Sequence, residues 1–309
     1  MILNTGCRTD IPAYYSEWFL NRIREGFVLA RNPYRPEQVL KYRLDPAVVD
    51  ALCFCTKNPQ PMLARLGELN AFRQFWFVTV TPYGKEIEPF VPDKARVLES
   101  VRQLSTLVGA RAVGWRYDPV FITEKYSIET NLRSFERMAA ALSGYVSACV
   151  VSFIDLYEKT RRNFPQARAV SADEQKRLVQ AFVAIGQKYR IPIRTCCENA
   201  SLAQYGADVS GCMTREVLEK ALDCRLNVPK SKKSPRAECD CLLGADIGMY
   251  NTCLHGCVYC YANYDRKTVE QNRRLHDPAS PLLIGHLREG DKIIEARQET
   301  YVSGQLSMF

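Results

Sequence analysis

Along the first two-thirds of the chain, segments with the apolar pattern of β-strands alternate with segments in which apolar residues have helical spacing. Short runs rich in β-branched and aromatic residues predict six strands, at about residues 1–6, 48–54, 75–80, 110–115, 148–153 and 191–195. Between these runs, apolar residues recur at helical spacing, for example from Val97 through Val101 and Leu104 to Val108. Strands that alternate with helices predict a parallel sheet with crossover helices, and therefore the α/β class.

Capping residues indicate where several predicted helices begin and end. Asp93 precedes one apolar repeat, which ends before Gly109. Ser171 and Glu174 have the spacing of a capping box at the start of a helix over 171–189. The other predicted helices begin near Pro12 or cover 62–69 and 127–142.

Six β–α units predict a partial (β/α)6 barrel of the TIM type over residues 1–198. After Glu198 the pattern changes to short turns, further cysteines and a basic run at 230–236, so residues 199–252 are expected to form an irregular cysteine-rich segment. Residues 253–297 should carry a cluster loop and C-terminal helices that pack on the barrel, one of them over 261–275. Residues 298–309 form a tail.

Polar residues follow the predicted strands, where ligands bind in such folds. The candidates for catalysis are Arg8, Asp10, Lys57, Asn58, Arg116, Asp118, Asp155 and Glu198. Thr81 and Tyr83 follow the third strand in the same way. A structural explanation stands beside the functional one, because Asp10 could cap a helix and Arg116 could pair with Asp118.

Composition narrows the class of protein. The chain has 309 residues, of which 47% are hydrophobic, enough for a sizeable core. It shows neither an apolar run of membrane-spanning length nor the layout of a signal peptide, so we expect a cytoplasmic protein without a membrane partner. Thirteen cysteines in that compartment indicate metal or redox chemistry rather than disulfides. The net charge of +8 permits a polyanionic partner without requiring one.

Three of the cysteines lie in one short loop, as Cys253, Cys257 and Cys260. Three thiolates can hold three irons of a 4Fe–4S cluster and leave the fourth iron open, whereas ferredoxin sites use four. Gly256 would allow the tight turn that such a loop needs. The alternative is a structural zinc site, although zinc more often uses paired C-x2-C units.

A second group of cysteines lies upstream. Cys196, Cys212, Cys239 and Cys241 could close the coordination of a second iron–sulfur cluster, with Cys197 and Cys224 as alternative ligands. Zinc at the same four thiolates is the main rival, and buried apolar thiols are a third explanation. The remaining cysteines lie in or beside predicted strands and are expected to fill the core or the space next to it; these are Cys7, Cys53, Cys55 and Cys149.

Three resemblances follow from these motifs. The segments CRTDIP (7–12), TKNP (56–59), TPYG (81–84), WRYDP (115–119) and DIGMYNTC (246–253) together resemble the uncharacterised DUF1848 family, which is noted for a C-terminal cysteine cluster. The cysteine spacing, with Tyr259 before the last cysteine, resembles the radical S-adenosylmethionine (SAM) superfamily. A more distant resemblance, carried by CVYCYA (257–262), is to spore photoproduct lyase, a radical SAM enzyme of DNA repair.

The radical SAM resemblance implies a set of roles. SAM would bind the open iron and be cleaved to a 5′-deoxyadenosyl radical after an electron donor reduces the cluster. The backbone near Tyr259 would contact the adenine, and the strand-end residues Lys57, Asn58, Arg116 and Glu198 would hold the rest of SAM. The chain departs from the superfamily in two respects: the loop follows the barrel instead of leaving the first strand, and TKNP stands where a glycine-rich motif is usual.

The last five residues, QLSMF, resemble the peptide by which bacterial replication and repair proteins bind the DNA sliding clamp. Gln305 would anchor the peptide, while Leu306, Met308 and Phe309 would fill apolar pockets. The alternative is a tail that packs on its own domain. Together with the charge, this motif favours a nucleic-acid substrate, such as a damaged base. A small-molecule or peptide substrate and a non-enzymatic zinc- or cluster-stapled binding protein are the other hypotheses.

Overall fold

The computed structural model describes residues 1–229, 239–242 and 244–302. Within them, a sheet of seven parallel strands forms the centre of the molecule, and its strands are β1 (Ile2–Asn4), β4 (Ala51–Thr56), β5 (Gln74–Thr79), β6 (Val113–Val120), β7 (Cys149–Phe153), β8 (Ile193–Thr195) and β9 (Ala245–Asp246). Their order across the sheet is β8-β7-β6-β5-β4-β1-β9. The α/β class and the six predicted strands are confirmed.

The two edge strands of this sheet are β9 and β8. β9 pairs in parallel with β1, with Leu3 opposite Ala245 and Asn4 opposite Asp246. β8 forms the other edge through its pairing with β7. The strand pairings of the described residues do not join β8 to β9, so these strands form an open sheet.

Helices alternate with the strands along the chain. They are α1 (Ile11–Tyr14), α2 (Ser16–Glu25), α3 (Gln60–Leu63), α4 (Lys94–Val108), α5 (Ile128–Leu142), α6 (Glu158–Asn163), α7 (Ala172–Tyr189), α8 (Arg215–Leu222) and α9 (Arg266–Arg274). The predicted caps are confirmed: the side chain of Asp93 caps α4, and Ser171 forms a complete capping box with Glu174 at α7. Ser127 also caps α5.

Alternation along the strands gives the sheet two apolar faces. On β5, Trp76 and Val78 belong to the main core, which packs against the crossover helices. Phe75 and Phe77 face the opposite way and form a second core. That second core is completed by α8 and by cysteines from the segment after β8. We call this second surface the concave face.

A second, smaller sheet was not predicted. It contains β2 (Phe27–Arg31), β3 (Gln38–Arg43) and β10 (Lys292–Glu295), in the order β10-β3-β2. β2 and β3 form an antiparallel pair, while β10 joins β3 in parallel from the far end of the described chain. The sheet therefore ties residues near 292 to the first 50 residues.

Several predicted boundaries were wrong. Residues 110–112 form a short helical turn, and β6 runs on to Val120, so Arg116 and Asp118 lie within the strand rather than in the loop after it. The basic stretch 159–162 belongs to α6 instead of a loop. Residues 199–252, expected to be irregular, contain α8 and β9, and the helix expected over 261–275 is confined to α9. Helix 62–69 is split into α3 and a turn over Leu66–Leu69.

Candidate functional site

The loop that carries Cys253, Cys257 and Cys260 leaves β9 at the carboxyl edge of the sheet. We call residues 247–263 the cluster loop. Its two arms are joined where the amide of Asn251 donates to the carbonyl of Ala262 at 3.0 Å. The amide of Val258 donates to Ile87, also at 3.0 Å, so the loop is tied to the segment that follows β5. The three cysteines therefore lie at the edge where the parallel strands end.

His255 anchors the cluster loop to the start of the chain. The ring is buried, and its Nε2 lies 2.7 Å from Oδ2 of Asp10 while its Nδ1 lies 2.8 Å from the hydroxyl of Tyr14. An ionised carboxylate can only accept, so the network assigns the proton to Nε2 and lets Tyr14 donate to Nδ1. Asp10 also accepts from the amides of Ala13 and Lys57, at 3.1 and 2.8 Å. Asp10 is thus both a helix cap and a loop anchor.

Glu88 is the centre of a buried charge network beside Cys257. Its carboxylate is 0% exposed and accepts from Nζ of Lys57 and from the hydroxyl of Thr81, both at 2.8 Å. Glu88 also accepts hydrogen bonds from Nζ of Lys94 and from the phenol of Tyr259. Burial opposes ionisation of Glu88, but Lys57 and Lys94 outweigh it and lower its pKa to about 2. The network therefore keeps a fixed pair of ammonium groups beneath the cluster loop.

The three loop cysteines are half-buried. Their sulfurs are not among the groups of described ligand atoms that lie within 4.8 Å of one another. One metal ion would need them closer, whereas a cubane binds each thiolate to a different iron and holds them further apart. Burial raises the pKa of Cys257 to about 12, and Lys57 acts in the opposite direction. Metal binding at this loop must therefore displace protons.

Two ion pairs act on Cys7, which follows β1. Nε of Arg8 lies 2.7 Å from the carboxylate of Asp246 at the end of β9. Nε of Arg116 lies 3.1 Å from Asp118, and its guanidinium stands 5.4 Å from the ring centroid of Phe77. Arg116 is pulled toward its charged form by Asp118 and then by Cys55, Cys212 and Cys196, which together overcome its burial and raise its pKa. The charge of Arg116 thus acts on Cys55 and on two of the upstream cysteines.

Three predicted site residues have local partners. Asp155 is exposed and accepts from the hydroxyl of Tyr157 at 3.1 Å. The amide of Asn58 donates to Thr56 Oγ1 at 2.9 Å. Oε1 of Glu198 accepts from the amide of Phe153 at 2.8 Å. These contacts fix the ends of β4 and β7, while Asp10, Lys57 and Arg8 are predicted residues that contact the cluster loop, through His255, Tyr259 and Tyr250 respectively.

The upstream cysteines also converge. Two sets of three sulfurs lie within 4.8 Å of one another, Cys196 with Cys212 and Cys241, and Cys196 with Cys197 and Cys239. The predicted four cysteines therefore meet on the concave face, and Cys197 joins them as a fifth. Of the expected core cysteines, Cys53 and Cys149 are buried, Cys55 is half-buried, and Cys7 is exposed, so the expectation was wrong for Cys7.

Sequence reasoning missed Glu88, Lys94, Tyr14 and His255. Glu88 lies in a segment with no strand or helix pattern to mark it as part of a site. Lys94 is the first residue of α4, and the helical pattern there does not distinguish it from a surface lysine. His255 stands between Cys253 and Cys257, and that position inside the motif was the available signal. Its partner Asp10 is 245 residues away in sequence.

Two predicted features lie outside the described residues. These are the basic run at 230–236 and the terminal peptide with Gln305, Leu306, Met308 and Phe309. Among the helices of the described residues, none combines the length and the apolar character that crossing a bilayer would require.

Comparison with known proteins gives a single finding. A family model described as "Domain of unknown function (DUF1848)" matches residues 2–262. Neither a curated protein nor a solved structure matches the chain.

Proposed function

Because the chain belongs to the DUF1848 family, which carries no assigned reaction, we propose its function from the site itself: a radical SAM enzyme. In this proposal Cys253, Cys257 and Cys260 hold a 4Fe–4S cluster with one open iron. When bound, such a cluster supplies the reductive cleavage of SAM to a 5′-deoxyadenosyl radical. The partial barrel expected from the sequence is part of the same proposal.

The observation that carries the proposal is the point at which the cluster loop leaves the sheet. In the radical SAM superfamily the loop is expected after the first strand, whereas here it comes after residue 246. β9, from which it leaves, is an edge strand that runs parallel to β1 and beside it. In space, therefore, the loop leaves the first strand of a parallel series, and the unusual sequence order is that of a circular permutation.

The protein's own groups would orient and shield the reactants. Lys57 and Lys94 place positive charge under the loop, which favours an anionic cluster. Arg8 and Arg116 are cations near the carboxyl ends of the strands. They could hold the carboxylate of SAM, with Asp118 as acceptor for its amine. Asn58, Asp155 and Glu198 stay candidates of the same kind, and the backbone near Tyr259 stays the candidate for the adenine.

A nucleic-acid substrate is favoured by the surface around the loop. Tyr264 is 62% exposed, and Nζ of Lys159 lies 5.0 Å from its ring centroid. Phe90 is 50% exposed beneath Arg266, at 5.2 Å. Exposed aromatic rings with cations beside them are the means by which proteins stack unpaired bases and follow a phosphate backbone.

Anaerobic purification and reduction with SAM test the chemistry. The wild-type protein is expected to bind iron through the cluster loop and to release 5′-deoxyadenosine. Cys257→Ala should abolish the release, while Cys224→Ala should retain it, because Cys224 is also half-buried but lies beside α8. Turnover that persists in Cys257→Ala would refute the open-iron assignment. A colourless, iron-free wild type would favour the non-enzymatic stapled protein.

Fluorescence polarisation with a labelled single-stranded oligonucleotide tests the substrate class. Tyr264→Ala should weaken binding by about 1–3 kcal/mol if a base stacks there, and salt should weaken it further. Tyr145→Ala is the matched control, because Tyr145 is also exposed, with Arg102 at 5.9 Å, but lies at the end of α5. Equal effects of the two changes, or no binding by the wild type, would favour a small-molecule or peptide substrate.

A further inference from the structure

The five upstream cysteines come from three separate parts of the chain. Cys196 and Cys197 follow β8, Cys212 precedes α8, and Cys239 and Cys241 lie just before β9. Their sulfurs nevertheless approach closely: Cys196 lies 3.8 Å from both Cys239 and Cys241, and Cys212 lies 3.5 Å from Cys241. Thiols that only fill a core have no reason to gather in this way.

The sulfur spacing identifies the kind of ligand. Four thiolates at 2.3 Å from one tetrahedral zinc ion are about 3.8 Å from one another by simple geometry. Three of the six pairs among Cys196, Cys212, Cys239 and Cys241, at 3.5 to 3.8 Å, agree with that value. Cys239 shares its group of sulfurs within 4.8 Å with Cys196 and Cys197, so one ion would draw it toward Cys212 and Cys241. A cubane cluster would separate the sulfurs further, since each binds its own iron. We propose that Cys196, Cys212, Cys239 and Cys241 bind one zinc ion on the concave face.

The backbone around these sulfurs is arranged to receive thiolates. Sγ of Cys241 accepts from the amides of Cys212 and Met213, both at 3.2 Å, and Sγ of Cys239 accepts from the amide of Cys241 at 3.4 Å. Such N–H···S bonds stabilise the deprotonated form that binds a metal.

Gly211 supplies the space for two of the sulfurs. Its φ is +123°, and a Cβ atom there would lie 2.9 Å from Sγ of Cys241 and 3.4 Å from Sγ of Cys239. Any side chain at this position would push the cysteines apart. The carbonyl of Gly211 is held by Arg194, whose guanidinium donates to it at 3.2 Å.

Cys197 is the thiol that we place outside the coordination. It lies 4.0 Å from Cys196, further than the pairs named above, and its φ is +59°. A zinc ion with four thiolates carries a net charge of −2, and Arg116 offsets part of it through its interaction with Cys212 and Cys196. The site would cross-link three chain segments onto the strands that lie beneath them.

Metal analysis of the wild-type protein is the first test. Plasma mass spectrometry should find about one zinc per chain, and zinc-edge X-ray absorption should find four sulfurs at about 2.3 Å. This measurement needs no variant, so misfolding cannot obscure it. Iron with no zinc, or two zinc ions per chain, would overturn the proposal.

Matched variants locate the ion. Cys212→Ser should lose the zinc, whereas Cys197→Ser should keep it; loss of zinc in both, or in neither, would contradict the ligand assignment. Cys253→Ala combined with Cys257→Ala and Cys260→Ala should keep the zinc whether or not the cluster loop binds iron. Loss of zinc from that triple variant would overturn the site, whereas loss of iron alone concerns only the proposed radical chemistry.

Discussion

Replacing Glu88 by glutamine tests the buried charge network beneath the cluster loop. The change keeps the shape of the side chain but removes a carboxylate that is 0% exposed and that pairs with Lys57 and Lys94, themselves 13% and 24% exposed. Removing one partner of a buried ion pair costs about 3–5 kcal/mol, because the other charge is left without compensation. We therefore expect Glu88→Gln to lower the free energy of unfolding by about 3 kcal/mol.

Urea unfolding followed by circular dichroism measures this loss. At a slope of about 3 kcal/mol per molar urea, the midpoint should fall by about 1 M while the slope stays the same. Glu86→Gln is the matched control two residues away. Its carboxylate is 47% exposed and pairs with Lys125 at the surface, so its removal should cost below about 1 kcal/mol. Equal losses in the two variants would refute the reasoning from buried charge.

The free energy that this network contributes to folding depends on pH, and the direction of that dependence follows from the lowered pKa of Glu88. The folded-state pKa of Glu88 is about 2, below its ordinary value of 4.5. The network therefore stabilises the protein fully above about pH 4.5, and that stabilisation is lost as the pH falls toward 2. Glu88→Gln should remove this part of the acid transition, which titration of unfolding midpoints between pH 5 and 2 would measure.

Three further changes have defined outcomes. Arg168 holds the pKa of Glu174 at about 2, so the capping box of α7 should lose its contribution as the pH falls from 4.5 toward 2, and Glu174→Gln should flatten that loss in thermal unfolding. Gly256→Ala places a Cβ atom 3.1 Å from Phe90 at a φ of +68°, so it should cost about 1 kcal/mol or more in urea unfolding and lower the iron content; an unchanged protein would contradict the packing. Deletion of residues 305–309 should abolish binding to an immobilised sliding clamp if the terminal peptide is a clamp ligand, and undiminished binding would refute that role.

Local patterns predicted the repeating part of the fold because the forces that form it are local. The caps Asp93, Ser127 and Ser171 act within their own first helical turn, so their spacing is visible in the sequence. The smaller sheet escaped prediction because β2 and β3 are short and separated by a turn with two prolines, and β10 joins them from about 250 residues away. β9 has only two residues, too few to show a period.

Sequence spacing marks the cysteines as candidate ligands, but the residues that surround them could not be predicted. Their spacing alone identified Cys253, Cys257 and Cys260 as candidates. Glu88 could not be identified in this way, because its contacts with the site are not reflected in any sequence pattern. Cys196 and Cys239 are 43 residues apart in sequence, so no local pattern predicts that their sulfurs meet. The sulfur distances, which favour one ion over a cluster, could not be predicted from the sequence.

The pairing of β9 with β1 has a consequence for how the molecule is assembled. These strands are separated by about 240 residues, while the series from β4 to β8 pairs in sequence order. Contacts that close long loops form late, and domains fold as the ribosome releases them. The sheet and its helices can therefore form before the cluster loop has been synthesised. The last step of folding would then be the docking of β9 on a finished edge of the sheet, which brings Cys253, Cys257 and Cys260 to the carboxyl ends of the strands.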